Sequence, residues 1–479
     1  MDAAETALAE MGVVDASCVL GVVTDNPSVM KAFRRLFVEK HTWVIPLACW
    51  AHGLNTLVGE ICRHAPAKAA IMRANRIVTF FNNSHYWGGQ LKNTAKAEKV
   101  TRGLKKNCES RWYALILLVM SISAHQTPLS LLVAHPNARR PSDGYSAVNE
   151  DVIDIIQDRD FWPWISRVIR IAHPFVDVIA VCESRRANLA DCMLNLLGAA
   201  RQLLTLDKKD DDTIEFRTFE KHARAVVNKC FRQMATPVHR LALFLHPLCR
   251  KMAVVEDTPG YTLRDYKKTT LEIAVKWGWE DREAALLASD ITTYGACKAP
   301  WEGGDRDAGG WWASLSISVK KHPLKAFACA ILSLTPHSAE IERLFSACNG
   351  IQSPKRNSLA VETFSKLAKV RSSLVEEAKR RAPLRKKPAT ETAAPPPAAT
   401  ASGSALATRV TTDNSTPLER DEVLTRWQAP LEGPDPEEDS ISGVEAVFKH
   451  LEATLALESV SVRGRRRQRT SGQFGRQAA

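Results

Sequence analysis

From about residue 150 to residue 300, apolar side chains recur at helical spacing and nowhere alternate with period two. This confines that half of the ordered chain to an all-α arrangement. The runs are Val152–Ile156, Trp162–Val181, Leu189–Leu206, Phe219–Met234 and Val238–Met252, separated by charged breaks such as Asp207–Asp212. Only two stretches read as strand, both near the N-terminus: Cys18–Val23, and Trp43–Ala48 interrupted by Pro46. The first ends in Thr24-Asp25-Asn26-Pro27, and Pro27 then opens a helix through Ser28–Phe37. An apolar run that ends in an aspartate is how a buried parallel strand delivers a carboxylate to its C-terminal edge. An N-cap on the following helix explains Asp25 equally simply. Residues ahead of the first strand read as a helix stopped by Gly12.

The second strand runs into Cys49-Trp50-Ala51-His52 and an amphipathic helix. Cys-x-x-His supplies two of the four ligands that structural zinc needs, so Cys49 and His52 read as packing and orienting groups. Residues 65–107 are helical and basic, with Arg73, Arg76, Lys92, Lys96, Lys99, Arg102, Lys105 and Lys106 interleaved with Phe80, Phe81, Tyr86 and Trp87. This suits a groove that tracks a nucleic-acid backbone, and equally a solvated helix face. Arg111-Trp112 opens the next apolar helix, where periodicity puts Trp112 in the core.

The formal net charge of +12 favours an anionic partner, nucleic acid before membrane. Eleven scattered cysteines read as free thiols of a reducing compartment. No apolar run approaches a membrane span and no signal peptide is visible, so a soluble intracellular protein is expected. Beyond residue 376 the composition shifts to a basic run, Lys379–Lys387, then to Ala/Pro/Thr/Ser low complexity and a second basic cluster, Arg463–Arg469. Residues 377–479 are expected to be a mostly disordered basic tail, with nuclear import signalled by the basic runs.

Between the helical region and this tail stand Trp311-Trp312, His322-Pro323-Leu324, Pro336-His337-Ser338, Glu342-Arg343-Leu344-Phe345-Ser346 and Arg356-Asn357-Ser358-Leu359. In this order they resemble the C-terminal dimerisation region of the hAT (hobo–Activator type) superfamily of DNA transposases. Val22–Met30 followed by Cys49-x-x-His52 is similar to the second-aspartate block of those enzymes and their plant-type relatives. Phe244-Leu-His-Pro247 resembles a block of their helical insertion.

The resemblance implies a partial RNase H-like fold, α/β plus α, interrupted by a large all-α insertion. Residues 1–65 would carry the second-aspartate block and 66–305 the insertion. Residues 306–376 would complete the core as the dimerisation region. It implies Asp25 and Glu342 as the second and third acids of a DDE-type triad, both ligands of catalytic Mg²⁺, with Cys49 and His52 shaping the site. Arg111 and Trp112 would contact DNA, Trp112 by stacking on a flipped base, a role held open beside core packing. Trp311, Trp312, Phe345, Leu359 and Leu367 would serve self-association or the intrachain core, with Leu344 and Phe345 anchoring their own helix as buried residues.

Only Asp2 and Asp15 precede Asp25 among the aspartates, and neither lies on a strand as the family's first acid does. The expectation is an N-terminally truncated, transposase-derived protein. It would dimerise, contact DNA, cut none by itself, need no cofactor and use no small-molecule substrate. A piece of an active Mg²⁺-dependent transposase, and a host-recruited DNA-binding or scaffold protein, are the other two classes kept open.

Overall fold

The computed structural model describes residues 2–13, 16–106, 111–141, 145–206, 213–349, 351 and 360–381. Described residues up to Pro336 form one compact unit and those from His337 form a second. The expected low-complexity tail and the Arg356–Leu359 motif lie outside the described residues.

The first unit opens with α1 (Asp2–Glu10), β1 (Gly21–Thr24), α2 (Ser28–Lys40) and β2 (Ile45–Ala48). The strands pair in parallel, Gly21 opposite Ile45 through Thr24 opposite Ala48, with α2 as the crossover that parallel neighbours require. Ile45 N–H donates to Leu20 O at 2.9 Å and Cys49 N–H to Thr24 O at 2.7 Å, so the odd residues of β2 face β1. Pro46 therefore turns its nitrogen to the opposite edge, where a missing donor costs nothing. The two strands are each four residues long, shorter than their apolar runs.

The rest of the unit is helical: α3 (Trp50–Cys62), α4 (Ala65–Asn83), α5 (His85–Ala97), α6 (Tyr113–Ala124), α7 (Gln126–Ala134), α8 (Glu150–Gln157) and α9 (Phe161–Cys182) come first. Then follow α10 (Leu189–Leu204), α11 (Ile214–Met234), α12 (Pro237–Leu245), α13 (Arg250–Ala253), α14 (Leu263–Lys276), α15 (Asp281–Gly295), α16 (Ala308–Ser314) and α17 (Leu324–Leu332). The apolar run Val238–Met252, read as one helix, is two: Pro247 cannot continue α12, which stops at Leu245. Among the described residues no single helix is long and apolar enough to cross a membrane.

One continuous hydrophobic core runs from Ile45 to Leu334, through β2 and α3 as well as the helices that follow. Residues 1–65 and 66–305, expected as separate domains, thus share it. Its centre is α9, where Ile165, Val168, Ala172, Phe175, Val176 and Ile179 form a buried stripe at helical spacing. A second centre is aromatic: Trp312 and Trp301 are fully buried against Tyr294, with ring centroids 5.0 and 6.2 Å away. Buried Arg250 lies over Tyr294 and donates to Trp301 O at 2.6 Å and Gly303 O at 2.9 Å, so carbonyls and a π face replace a carboxylate partner. Asp290 accepts from Leu324 N–H at the start of α17 and bonds His322 Nδ1 at 2.9 Å, while burial raises its carboxyl pKa.

The second unit contains α18 (Ala339–Asn349) and α19 (Val361–Arg381). No described cysteine is in a disulfide.

Candidate functional site

Because β1 and β2 end together, Asp25 and Cys49 follow directly on the C-terminal ends of two parallel strands, where open parallel sheets present polar groups. Asp25 is not an N-cap. Pro27 occupies that position on α2, without any side-chain cap bond. The turn is instead held by Arg34, which sits beside Phe37 on the buried stripe of α2 and is itself 8% exposed. Its Nη1 donates to Asp25 O at 2.7 Å, to Thr24 O at 3.3 Å and to Thr24 Oγ1, and its Nη2 to Asn26 Oδ1 at 2.8 Å. Burial lowers the Arg34 pKa, and the Asp25 charge opposes that shift. The half-buried Asp25 carboxylate makes no hydrogen bond or ion pair among the described residues.

Cys49 precedes α3 and is 2% exposed, whereas His52, one turn on, faces solvent. Trp50 N–H donates to Pro336 O at 2.9 Å, tying the start of α3 to the end of the first unit. The Trp50 ring lies 4.7 Å from that of His239, which burial drives down to a pKa of about 3. Cys62, Cys230 and Cys249 are pushed up to about 12 by burial, leaving inert thiols.

His52, Asn55 and Gly59 recur at i, i+3 and i+7 and so share one face of α3. Asn55 Oδ1 accepts from Tyr113 N–H at 3.2 Å. Gly59 lies directly under the Trp112 ring, where a Cβ would come within 2.7 Å of Cγ. The half-buried Trp112 therefore has one face of its ring covered by the α3 backbone, about 10 Å along the axis from His52. Arg111 Nη1 donates to Tyr113 Oη at 2.8 Å, with the guanidinium 5.9 Å from that ring. The sequence-derived residues Cys49, His52, Arg111 and Trp112 thus gather around α3.

The Trp pair on α16 divides. Trp312 is fully buried and donates from Nε1 to Leu245 O at 2.7 Å, inside the chain's own core, while Trp311 is half-buried against Tyr294.

In the second unit, Ser338 Oγ donates to Glu342 Oε1 at 3.1 Å, and Arg343 pairs with Glu340 at 2.7 Å. Leu344 and Phe345, expected as buried anchors, are 37% and 64% exposed. The expectation fails because the apolar face of α18 is left uncovered among the described residues, as are Leu367, Val370, Leu374 and Val375 of α19. Leu359 lies outside the described residues.

Among the described residues no three of His, Cys, Asp or Glu gather as a metal-binding group. Asp25 has the right chemistry for a Mg²⁺ ligand, but among the described residues no second and third carboxylate join it as a two-metal clamp requires.

Sequence reasoning missed Arg34, Gly59 and the Asp290–His322 pair. For Arg34 a signal existed: a cation on the apolar stripe of an amphipathic helix. For Gly59 none did, since its partner is 53 residues away. Compared with protein-family models and with curated proteins, the chain matches none.

Proposed function

We propose that this chain is a hAT-type transposase relative that self-associates and contacts DNA. In this proposal β1 and β2 are strands of an RNase H-like sheet, and Asp25 and Glu342 are two of its acids. Arg111 and Trp112 contact nucleic acid. The basic runs at Lys379–Lys387 and Arg463–Arg469 direct the protein to the nucleus.

The observation that carries the proposal is the apolar stripe on the second unit. Ile341, Leu344 and Phe345 follow i, i+3, i+4 spacing on α18, and Leu367, Val370 and Leu374 follow i, i+3, i+7 on α19. Phe345, Val370 and Leu374 are 64%, 56% and 60% exposed, far more than an isolated surface leucine needs explaining. Burying each such side chain contributes about 1.5–3 kcal/mol, and a two-fold contact between copies buries every one of them twice.

Light scattering on the full chain tests this. A dimer is expected at about 10 μM, and Phe345→Asp with Val370→Asp should give a monomer of unchanged helicity. A wild-type chain that stays monomeric at about 100 μM sinks the proposal.

A further inference from the structure

The basic region 65–107 resolves into two parts of different character. On α4, Arg73 is bonded to Asp158 and Arg76 to Asp151, both acids coming from α8 or just beyond its end. Those two guanidinium groups already have carboxylate partners.

From Lys92 to Lys106 the balance is different: five lysines and Arg102 stand against the single carboxylate of Glu98. The inner face of α5 is fixed by buried Trp87, Leu91 and Ala95, which turns Lys92 and Lys96, four residues apart, outward together. The helix closes with Val100 N–H donating to Ala95 O at 2.7 Å and Lys99 at φ +60°, in the left-handed conformation that glycine ordinarily takes at a helix end. The chain then turns back until Lys105 N–H donates to Ser121 Oγ at 2.9 Å, on α6, the helix that Arg111 and Trp112 introduce. Lys92, Lys96, Lys99 and Lys106 are exposed, and none of them pairs with a carboxylate among the described residues.

Favourable interaction with the C-terminal dipole of α5 accounts for Lys96 and Lys99. It does not account for Lys92 or for Lys106.

On the strength of the DNA contact proposed above, we infer that Lys92, Lys96, Lys99 and Lys106 form the surface that holds the phosphate backbone of a nucleic-acid duplex. Its chemistry selects that partner. Among the described residues of α5, α6 and the segment that joins them no large hydrophobic side chain is exposed, so the lysine-bearing segment itself supplies neither the apolar anchor of a protein interface nor the inserting residues of a membrane surface. Point charges without an apolar centre are what counterion release from a polyanion uses. The surface sets affinity and carries no base sequence information.

The test is fluorescence anisotropy of a labelled duplex with the full chain across a salt series. One variant carries Lys92→Gln, Lys96→Gln, Lys99→Gln and Lys106→Gln. A second removes equal charge elsewhere with Lys251→Gln, Lys276→Gln, Lys320→Gln and Lys321→Gln, all exposed positions. The first variant should lower the slope of log K against log salt by about 3–4 and weaken binding about 10-fold or more, while the second changes it about 2-fold at most. Self-association, read by light scattering on the same samples, should be unchanged in both.

Equal effects of the two variants on a wild-type chain that does bind would overturn the inference and leave the DNA contact standing. So would competition by polyglutamate, or by anionic lipid vesicles, as effective as that by duplex. A wild-type chain that fails to bind duplex at low salt overturns the DNA contact itself.

Discussion

Replacing Arg34 by methionine keeps the length and apolar stem of the side chain but removes the guanidinium donors that organise the turn between β1 and α2, leaving there the Thr24 hydroxyl, which donates to Asp25 O at 2.8 Å. Three acceptors are held at close range, Asp25 O, Asn26 Oδ1 and Thr24 Oγ1, with Thr24 O a longer fourth. Hydrogen bonds from a charged donor contribute about 1.5–3 kcal/mol each, net of their exchange with water. The full sum is not lost, because Thr24 and Asp25 are half-exposed and Asn26 is exposed, so water takes over part of the bonding. Relief from burying a cation offsets more. The expected cost of Arg34→Met is therefore about 2–4 kcal/mol, and Arg34→Lys, which keeps the charge but not the planar fork, costs about half as much. The turn can open locally without global unfolding, so the assay is amide hydrogen exchange in peptides covering residues 21–34. At about 1.4 kcal/mol per factor of ten, exchange in the turn should accelerate by about 30- to 700-fold in Arg34→Met, with the helices around α9 unaffected. Exchange within about 3-fold of wild type, under one kcal/mol, would refute the clamp and leave Arg34 a passive occupant of the α2 stripe.

Gly59→Ala should reverse sign with its background: overpacking against Trp112 outweighs a helix-propensity gain of about 1 kcal/mol, whereas in Trp112→Ala the same change stabilises by about that amount. Thermal melts of the four proteins check it, and stabilisation in both backgrounds removes the close contact. Trp312→Phe leaves Leu245 O buried without its donor and should cost about 1–3 kcal/mol while leaving the dimerisation constant unchanged; a monomer of undiminished stability would place Trp312 at the interface instead. His239 titrates near 3 in the folded chain and near 6.5 when unfolded, so acid protonates the unfolded state first and stability falls from pH 6.5 towards about 3. Relative to His239→Gln, wild type should lose about 2 kcal/mol more between pH 6.5 and about 5, and parallel urea midpoints in the two proteins would contradict the burial of a neutral imidazole.

What the sequence revealed and what it concealed divide by chain separation. Both strands, the Gly12 stop and most helices of the region 150–300 are written in local periodicity. The break in Val238–Met252 was equally legible, since Pro247 forbids continuation, but the apolar spacing on either side masked it. Arg73 and Arg76 could not be sorted from the lysines that follow, because their partners lie 85 and 75 residues on. The interleaved aromatics had the same ambiguity: Phe81 and Trp87 are core, and Tyr86 stacks on Tyr145 with centroids 4.0 Å apart. Amphipathicity correctly marked Leu344 and Phe345 as an apolar face, yet an apolar face does not say what covers it. That question belongs to a second molecule as readily as to the chain itself.

The shared core bears on how the chain is divided. Leu54, Leu57, Val58 and Ile61 of α3 are at most 1% exposed, and they belong to the same cluster as the helices of 66–305. Deleting residues 1–65 removes all four, each worth about 1.5–3 kcal/mol when buried. That total, about 6–12 kcal/mol, is as large as the whole stability of an ordinary domain. It also uncovers Trp112, which rests on Gly59, and strips His222 of the Glu60 carbonyl it bonds at 3.0 Å. A protein comprising residues 66–305 should therefore keep helical circular dichroism but lose near-ultraviolet signal and bind a hydrophobic dye, the signature of a loosely packed state. A cooperative thermal transition and dispersed amide resonances from 66–305 alone would show that the helical region has a core of its own. Otherwise α3 is as much a core helix of that region as it is the continuation of β2, and the residues gathered on its face are fixed in place by both.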